Sequence, residues 1–137
     1  MYVIVYGTLK NGKSNNHVLE GATFIGDCLV RNHKLYYSGF PVACPSSGDT
    51  LMGEVWEIDT TKDTLHRLDR LEGHRGNNVN SGSMYFRHTV TAYLENGNIE
   101  GDMYVGNPEA WRDFKGMKEC PIDENVGAYR WEGYSAR

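Results

Sequence analysis

The stretch Val3-Ile4-Val5-Tyr6-Gly7-Thr8-Leu9-Lys10-Asn11-Gly12-Lys13-Ser14 decides the fold, because it supports two incompatible readings. In the first, an apolar, β-branched strand from Tyr2 to Tyr6 breaks at Gly7 and opens its backbone as a cradle for a small substrate. In the second, Gly7, Gly12, Lys13 and Ser14 fit the phosphate-loop pattern G-x-x-x-x-G-K-[ST] letter for letter. A phosphate loop works only when it opens a helix whose N-terminal dipole faces the phosphate, within a strand, helix, strand unit of a parallel sheet. Here Asn15 and Asn16 follow, and Gly21 arrives seven residues after Ser14, which leaves no room for a crossover helix. The carboxylate such a site needs would be Asp59. The strand before it carries Glu54 and Glu57, unlike the continuous apolar run of a doubly covered parallel strand. A phosphotransferase using Gly7 to Ser14 is therefore the minor alternative.

Outward from this stretch the chain reads as short strands joined by turns. Lys10 to Asn16 is a loop, and His17 to Leu19 adds at most a helical turn. Ala22 to Val30 and Leu35 to Tyr37 are strand-like. Ser38-Gly39-Phe40-Pro41 turns the chain, Val42 to Cys44 continues, and Pro45 to Asp49 forms a turn cluster. Leu51, Gly53, Val55 and Ile58 alternate with polar Glu54 and Glu57 in the next strand. Thr61 to Leu71 is the one convincing helix, with Leu65, Leu68 and Leu71 on an apolar face and Gly73 as its C-terminal stop. His74 to Ser83 is a Gly/Asn-rich loop with no core of its own, expected to be mobile or a lid. Tyr85 to Leu94 and Ile99 to Val105 flank Glu95-Asn96-Gly97-Asn98 and form the clearest hairpin. Beyond Asn107-Pro108 come Trp111, Phe114, Tyr129, Trp131 and Tyr134, with a short helix expected near Glu109 to Lys115. About seven strand-like runs against one good helix predict an α+β fold, a small mixed β-barrel with flanking helices.

The 137 residues make a single domain by size, large enough to bury a core without metal or disulfide support. A net charge of −4 gives no basic excess for a nucleic-acid backbone. No apolar run approaches the roughly 20 residues of a membrane-spanning helix, and no signal-type segment opens the chain, so a cytoplasmic location is expected. Cys28, Cys44 and Cys120 are odd in number and widely spaced, which points to reduced thiols. The five histidines show no metal-binding spacing, so no metal is expected.

Taken in order, Tyr6-Gly7-Thr8-Leu9, Phe40-Pro41, Gly53-Glu54-Val55, Leu68-Asp69-Arg70-Leu71-Glu72-Gly73 and Tyr85-Phe86-Arg87 resemble the γ-glutamylcyclotransferase-like family, which includes γ-glutamylamine cyclotransferases and AIG2-like proteins. The resemblance is strongest over residues 2–105. It implies a small β-barrel, a pocket lined by the Y-G-T-L loop, and the glutamate of the E-G pair as acid/base. That places Tyr6, Gly7, Thr8 and Leu9 in a substrate cradle and Glu72 in the catalytic role, with no cofactor. The implied substrate is a small γ-glutamyl amine or γ-glutamyl amino acid, converted to 5-oxoproline and a free amine.

The residue types suit that chemistry in their own right. Ring closure uses a nucleophile carried by the substrate, so the protein must supply proximity, a proton shuttle and donors for an oxyanion. Burial of Glu72 would raise its pKa toward that of the substrate amine, and the amides of Gly7, Thr8 and Leu9 are the candidate donors. Asp69 is expected to be structural, bonded to nearby backbone or Arg87. Tyr85 and Arg87 share one side of their strand and either could line the pocket, although such residues on a barrel strand more often pack and pair; the family resemblance implies that Tyr104, on the late strand, can offer a pocket tyrosine. A non-catalytic binding module on the same fold is the other alternative. The loop between Glu72 and Tyr85 is longer than in compact relatives and residues 107–137 have no counterpart, so leaving-group specificity and oligomeric state stay open.

Overall fold

The computed structural model describes residues 1–111 and 117–132. Five long strands carry the architecture: β1 (Tyr2–Val5), β2 (Thr23–Tyr37), β3 (Pro41–Glu57), β4 (Tyr85–Leu94) and β5 (Gly97–Gly106). Three two-residue strands follow: β6 (Lys118–Glu119), β7 (Ile122–Asp123) and β8 (Ala128–Tyr129). The helices are α1 (Thr64–Leu71) and a turn, α2 (Pro108–Trp111), at the limit of the described residues. No described helix is long and apolar enough to cross a membrane.

The sheet order is β6-β2-β4-β5-β1-β3-β8-β7, and β2 also pairs with β3, so the five long strands close into a barrel. β1 runs antiparallel to β3 and parallel to β5. This central position explains why Val3 to Val5 reads as a continuous apolar run. Ile4 joins a core fed by every barrel strand, including Val30, Val55, Ala92 and Met103. Val3 and Val5 join a second cluster outside it, roofed by Leu68 of α1. Both faces of β1 are dry, and the chain breaks out of the sheet where both cores end.

Several local expectations change. The brief strands on either side of Phe40-Pro41 are the closing ends of one long β2–β3 hairpin. The Pro45 to Asp49 cluster does not end a strand; four residues, 46 to 49, bulge out opposite Asn32 between the pairs Arg31↔Thr50 and His33↔Pro45. Ser46 bonds Asp49 across the bulge, and Asn32 takes the left-handed conformation (φ 63°) that accommodates it. The hairpin of β4 and β5 forms as expected, with Leu94 paired to Gly97 around a loop of Glu95 and Asn96. The helix begins at Thr64 rather than Thr61, and its expected apolar face is only partly used. Leu68 is fully buried, whereas Leu71 is 41% exposed.

Glu54 does not lie on a solvated face. It is 9% exposed, and its Oε1 accepts from the Asn11 amide (2.9 Å) and the Trp56 indole (3.1 Å). The His74 to Ser83 loop, expected to be mobile or a lid, is pinned by its own polar core. Ser83, 1% exposed, accepts from the Arg75 amide at 2.6 Å and donates to the Gly76 carbonyl at 2.8 Å. Asn107 Nδ2 donates to the Ser83 carbonyl at 2.9 Å. In the C-terminal part, Trp111, Tyr129 and Trp131 close the core. Phe114, Tyr134 and most of the helix expected over Glu109 to Lys115 lie outside the described residues.

Candidate functional site

Where β1 ends, the chain folds into a turn whose acceptors are all occupied locally. Lys10 N–H donates to the Gly7 carbonyl (3.0 Å), and Asn15 N–H to that of Thr8 (2.8 Å). Asn15 Nδ2 donates to Thr8 Oγ1 (3.0 Å) and Asn16 Nδ2 to the Leu9 carbonyl (2.8 Å). The donors are left over: neither the Thr8 nor the Leu9 amide meets an acceptor among the described residues. Thr8 and Leu9 both line the cavity, so their open N–H groups are candidate donors to an acceptor bound there. Lys10 anchors the far side of the turn, donating from Nζ to the Trp131 carbonyl at 2.8 Å, and burial lowers its pKa. After Ser14 only a four-residue 3-10 turn forms (Asn16–Leu19), so the phosphate-loop reading has no helix to open.

Gly7 is required for packing. A Cβ at this position would lie 2.2 Å from Pro41 Cγ. Gly7→Ala therefore overpacks the seam between this turn and β3, and should lower stability by about 1–3 kcal/mol with an unchanged m-value in urea unfolding.

Glu72 reaches the same cavity from the end of α1. Gly73, with φ +61°, lets the helix close in a Schellman pattern: Gly73 N–H bonds the Arg70 carbonyl (3.2 Å) and His74 N–H that of Asp69 (2.8 Å). The turn holds Glu72 at the helix end beside three tyrosines. All three hydroxyl protons are committed elsewhere. Tyr6 donates to the Tyr104 carbonyl at 2.7 Å, Tyr85 to the Pro41 carbonyl at 2.9 Å, and Tyr104 to Asp69 Oδ1 at 2.6 Å. No described side chain or amide bonds the Glu72 carboxylate. It is half-buried and lines the cavity, and desolvation by burial pushes its pKa from 4.5 to about 7.

That shift has a stability consequence with a definite sign. The folded protein keeps a proton on Glu72 that the unfolded chain releases at the ordinary carboxylate pKa, so folding is penalised as pH rises from about 4.5 to about 7. Glu72→Gln removes the titration. Relative to the parent it should gain nothing at pH 4 and about 3 kcal/mol at pH 8, read from urea midpoints across that range.

Asp69, one turn before Glu72, does not enter the cavity. It takes both bonds from Arg87 Nη1 (2.7 and 2.6 Å) and one from Tyr104, and Arg87 Nε also bonds Asp102 (3.2 Å). The expected structural role of Asp69 is the one observed: the pair fixes Tyr104 between α1 and β5. Among the described residues no cluster of His, Cys, Asp and Glu could hold a metal.

The cavity measures ≈ 350 Å³ and brings together every residue expected at the site: Tyr6, Gly7, Thr8, Leu9, Glu72, Tyr85 and Tyr104. Asn15, Phe40, Arg70, Leu71, Met84 and Trp111 also line it, although the sequence had not singled them out as site residues. Phe40-Pro41 was visible as a motif. The contribution of Met84 and Trp111 was not, because it depends on the pinned 74–83 loop.

Comparison with known proteins falls on the same residues. The family model described as "Gamma-glutamyl cyclotransferase, AIG2-like" matches residues 3–125, so the expectation that the chain from Asn107 onward has no counterpart in the family is overturned as far as residue 125. The Escherichia coli (strain K12) "Gamma-glutamylcyclotransferase family protein YtfP" is 39% identical over 77 residues, covering 56% of this chain and 66% of that protein. The chain thus matches just under two thirds of that relative's length. A crystal structure of an uncharacterized Pyrococcus horikoshii protein superposes with TM-score 0.57 at 27% identity, covering 78% of each chain. A solved structure titled "Gamma-glutamyl cyclotransferase" has TM-score 0.62 at 21% identity, covering 88% of this chain and 71% of its own, a likeness of fold.

Proposed function

Because this chain belongs to the gamma-glutamyl cyclotransferase, AIG2-like family, we propose that it converts a small γ-glutamyl amine or γ-glutamyl amino acid to 5-oxoproline and the free amine, with Glu72 as general acid/base. The observation that carries this reading is the pairing, in one cavity, of a partnerless carboxylate with a pKa of about 7 and the open amides of Thr8 and Leu9.

In this mechanism the Glu72 carboxylate takes a proton from the substrate's α-ammonium. The freed lone pair attacks the γ-carbon, and the carbonyl oxygen becomes an oxyanion held by the Thr8 and Leu9 N–H groups. As the C–N bond to the leaving amine breaks, Glu72 gives its proton to that nitrogen. The surplus proton on the ring nitrogen then passes through the same carboxylate to the released amine, which departs as an ammonium. Glu72 ends as it began.

The raised pKa matters because of the first step. A carboxylate whose acid has an ordinary pKa of about 4.3 would take a proton from an ammonium of pKa about 8 at a cost of roughly 5 kcal/mol; at about 7 the cost falls to roughly 1.4 kcal/mol. The three tyrosines, with their own pKa values pushed up by burial, do not compete as acids. Incubation with a panel of γ-glutamyl amines and γ-glutamyl amino acids should release 5-oxoproline from at least one of them. Silence across γ-glutamyl amino acids, glutathione and γ-glutamyl-lysine contradicts the proposal.

A further inference from the structure

We infer that the mouth of the cavity selects γ-glutamyl α-amino acids whose leaving residue has an apolar side chain, with Phe40, Leu71 and Met84 receiving that side chain and Arg70 its carboxylate. The inference rests on the cyclotransferase reading of the same cavity.

Phe40, Leu71 and Met84 are 39%, 41% and 42% exposed, and all three line the cavity. They come from the β2–β3 connection, the end of α1 and the residue before β4, so three separate elements converge on one apolar rim. A rim assembled that way is a contact surface rather than scattered exposure. It is also held in place. The Phe40 ring packs edge-to-face on Trp111 with centroids 5.3 Å apart, and the Trp111 indole donates to the Met84 carbonyl at 2.8 Å. Met84 N–H bonds the Gly73 carbonyl at 2.9 Å, and its side chain covers Gly73, where an added Cβ would lie 3.1 Å from Met84 Cγ.

The rim lies beside the proposed proton donor. Leu71 and Gly73 are the chain neighbours of Glu72, all three line the cavity, and the Met84 side chain covers Gly73, so this rim is the apolar surface nearest the group that protonates the leaving nitrogen. Charge narrows the choice further. Among the described residues lining the cavity, Glu72 is the sole acidic one and Arg70 the sole cationic one. Arg70 Nη2 contacts His66 Nε2 at 2.9 Å and has no carboxylate partner among the described residues. A leaving amino acid offers Arg70 that carboxylate, whereas a cationic side chain meets a like charge.

The test compares kcat/KM for γ-glutamyl-leucine, -phenylalanine, -glycine and -aspartate, Nα-γ-glutamyl-lysine and γ-glutamyl-isopentylamine. The last of these is the leucine compound without its carboxylate. The leucine and phenylalanine compounds should exceed glycine by about 10- to 100-fold, and the aspartate and lysine compounds should not. Met84→Glu should cut the leucine-to-glycine ratio by about 10-fold or more. Arg70→Gln should raise KM for γ-glutamyl-leucine and leave that for γ-glutamyl-isopentylamine within about 2-fold. Release of 5-oxoproline at similar efficiency from all six, or a ratio unmoved by Met84→Glu, overturns the inference while leaving the cyclotransferase reading intact. If none is turned over, the cyclotransferase reading fails. Calorimetric affinities for the same panel then decide the inference: tighter binding of the leucine and phenylalanine compounds upholds it, and equal or absent binding overturns it.

Discussion

Glu72→Gln is expected to lower the rate of 5-oxoproline formation by on the order of 10²–10⁴, the usual span for loss of a positioned general acid/base. The size of the loss follows from what surrounds the residue. No described group bonds the Glu72 carboxylate, and the hydroxyl protons of Tyr6, Tyr85 and Tyr104 are committed to the Tyr104 carbonyl, the Pro41 carbonyl and Asp69. Among the described residues the site therefore holds no second shuttle to take over. Glutamine keeps the volume and the Schellman turn, so γ-glutamyl substrates should still bind with affinity changed by less than about 3-fold. The drop should lie in kcat, and KM should move little. Because the same substitution stabilises the protein at pH 8, the loss of activity cannot be attributed to unfolding. A binding module on this fold would show full ligand affinity and no turnover in either form.

Tyr6→Phe should cost about 2–4 kcal/mol of stability. The Tyr6 hydroxyl is buried and bridges two strands: it donates to the Tyr104 carbonyl of β5 at 2.7 Å and accepts from the Ala43 amide of β3 at 3.1 Å. Phenylalanine fills the same space and leaves both backbone groups without this partner in the barrel interior, where each unsatisfied group costs about 1–3 kcal/mol. Against the 5–15 kcal/mol typical of a domain, such a loss is readily measured as a fall in urea midpoint at constant m-value. A change under about 0.5 kcal/mol would show that the hydroxyl is not the bridge. The effect should reach the site as well, because Tyr6 is the last fixed residue before the open amides.

The pattern of β1, the helix ending at Gly73 and the β4–β5 hairpin were legible in the sequence because each is a local signal: an apolar run, a three-residue apolar step, two β-forming stretches around a turn. That Tyr6 to Leu9 and Glu72 would face one cavity was legible through ordered motifs, Tyr85 through the alternation of its strand, and Tyr104 through the family resemblance. What escaped was set by pairing at a distance. Pro45 to Asp49 carries every mark of a terminating turn, yet β2 continues on the other side and turns it into a bulge. Glu54 has the alternation of a solvated residue, and donors from the returning chain at Asn11 and from the Trp56 indole let it be buried. Likewise Ser81, Ser83 and Asn107 look like loop polarity in sequence. Their mutual bonds make the 74–83 segment a fixed wall and place Met84 over Gly73.

The pH dependence of kcat/KM, measured side by side for the parent and Glu72→Gln, tests the central claim most directly. The reactive form pairs a deprotonated Glu72 with a substrate ammonium, so the parent's efficiency should fall on the acid side with an apparent pKa of about 7, where burial places this carboxyl. The residual activity of Glu72→Gln should lack that limb. An acid limb of the same midpoint in both proteins, or undiminished activity in the variant, would contradict the assignment of Glu72 as the proton shuttle.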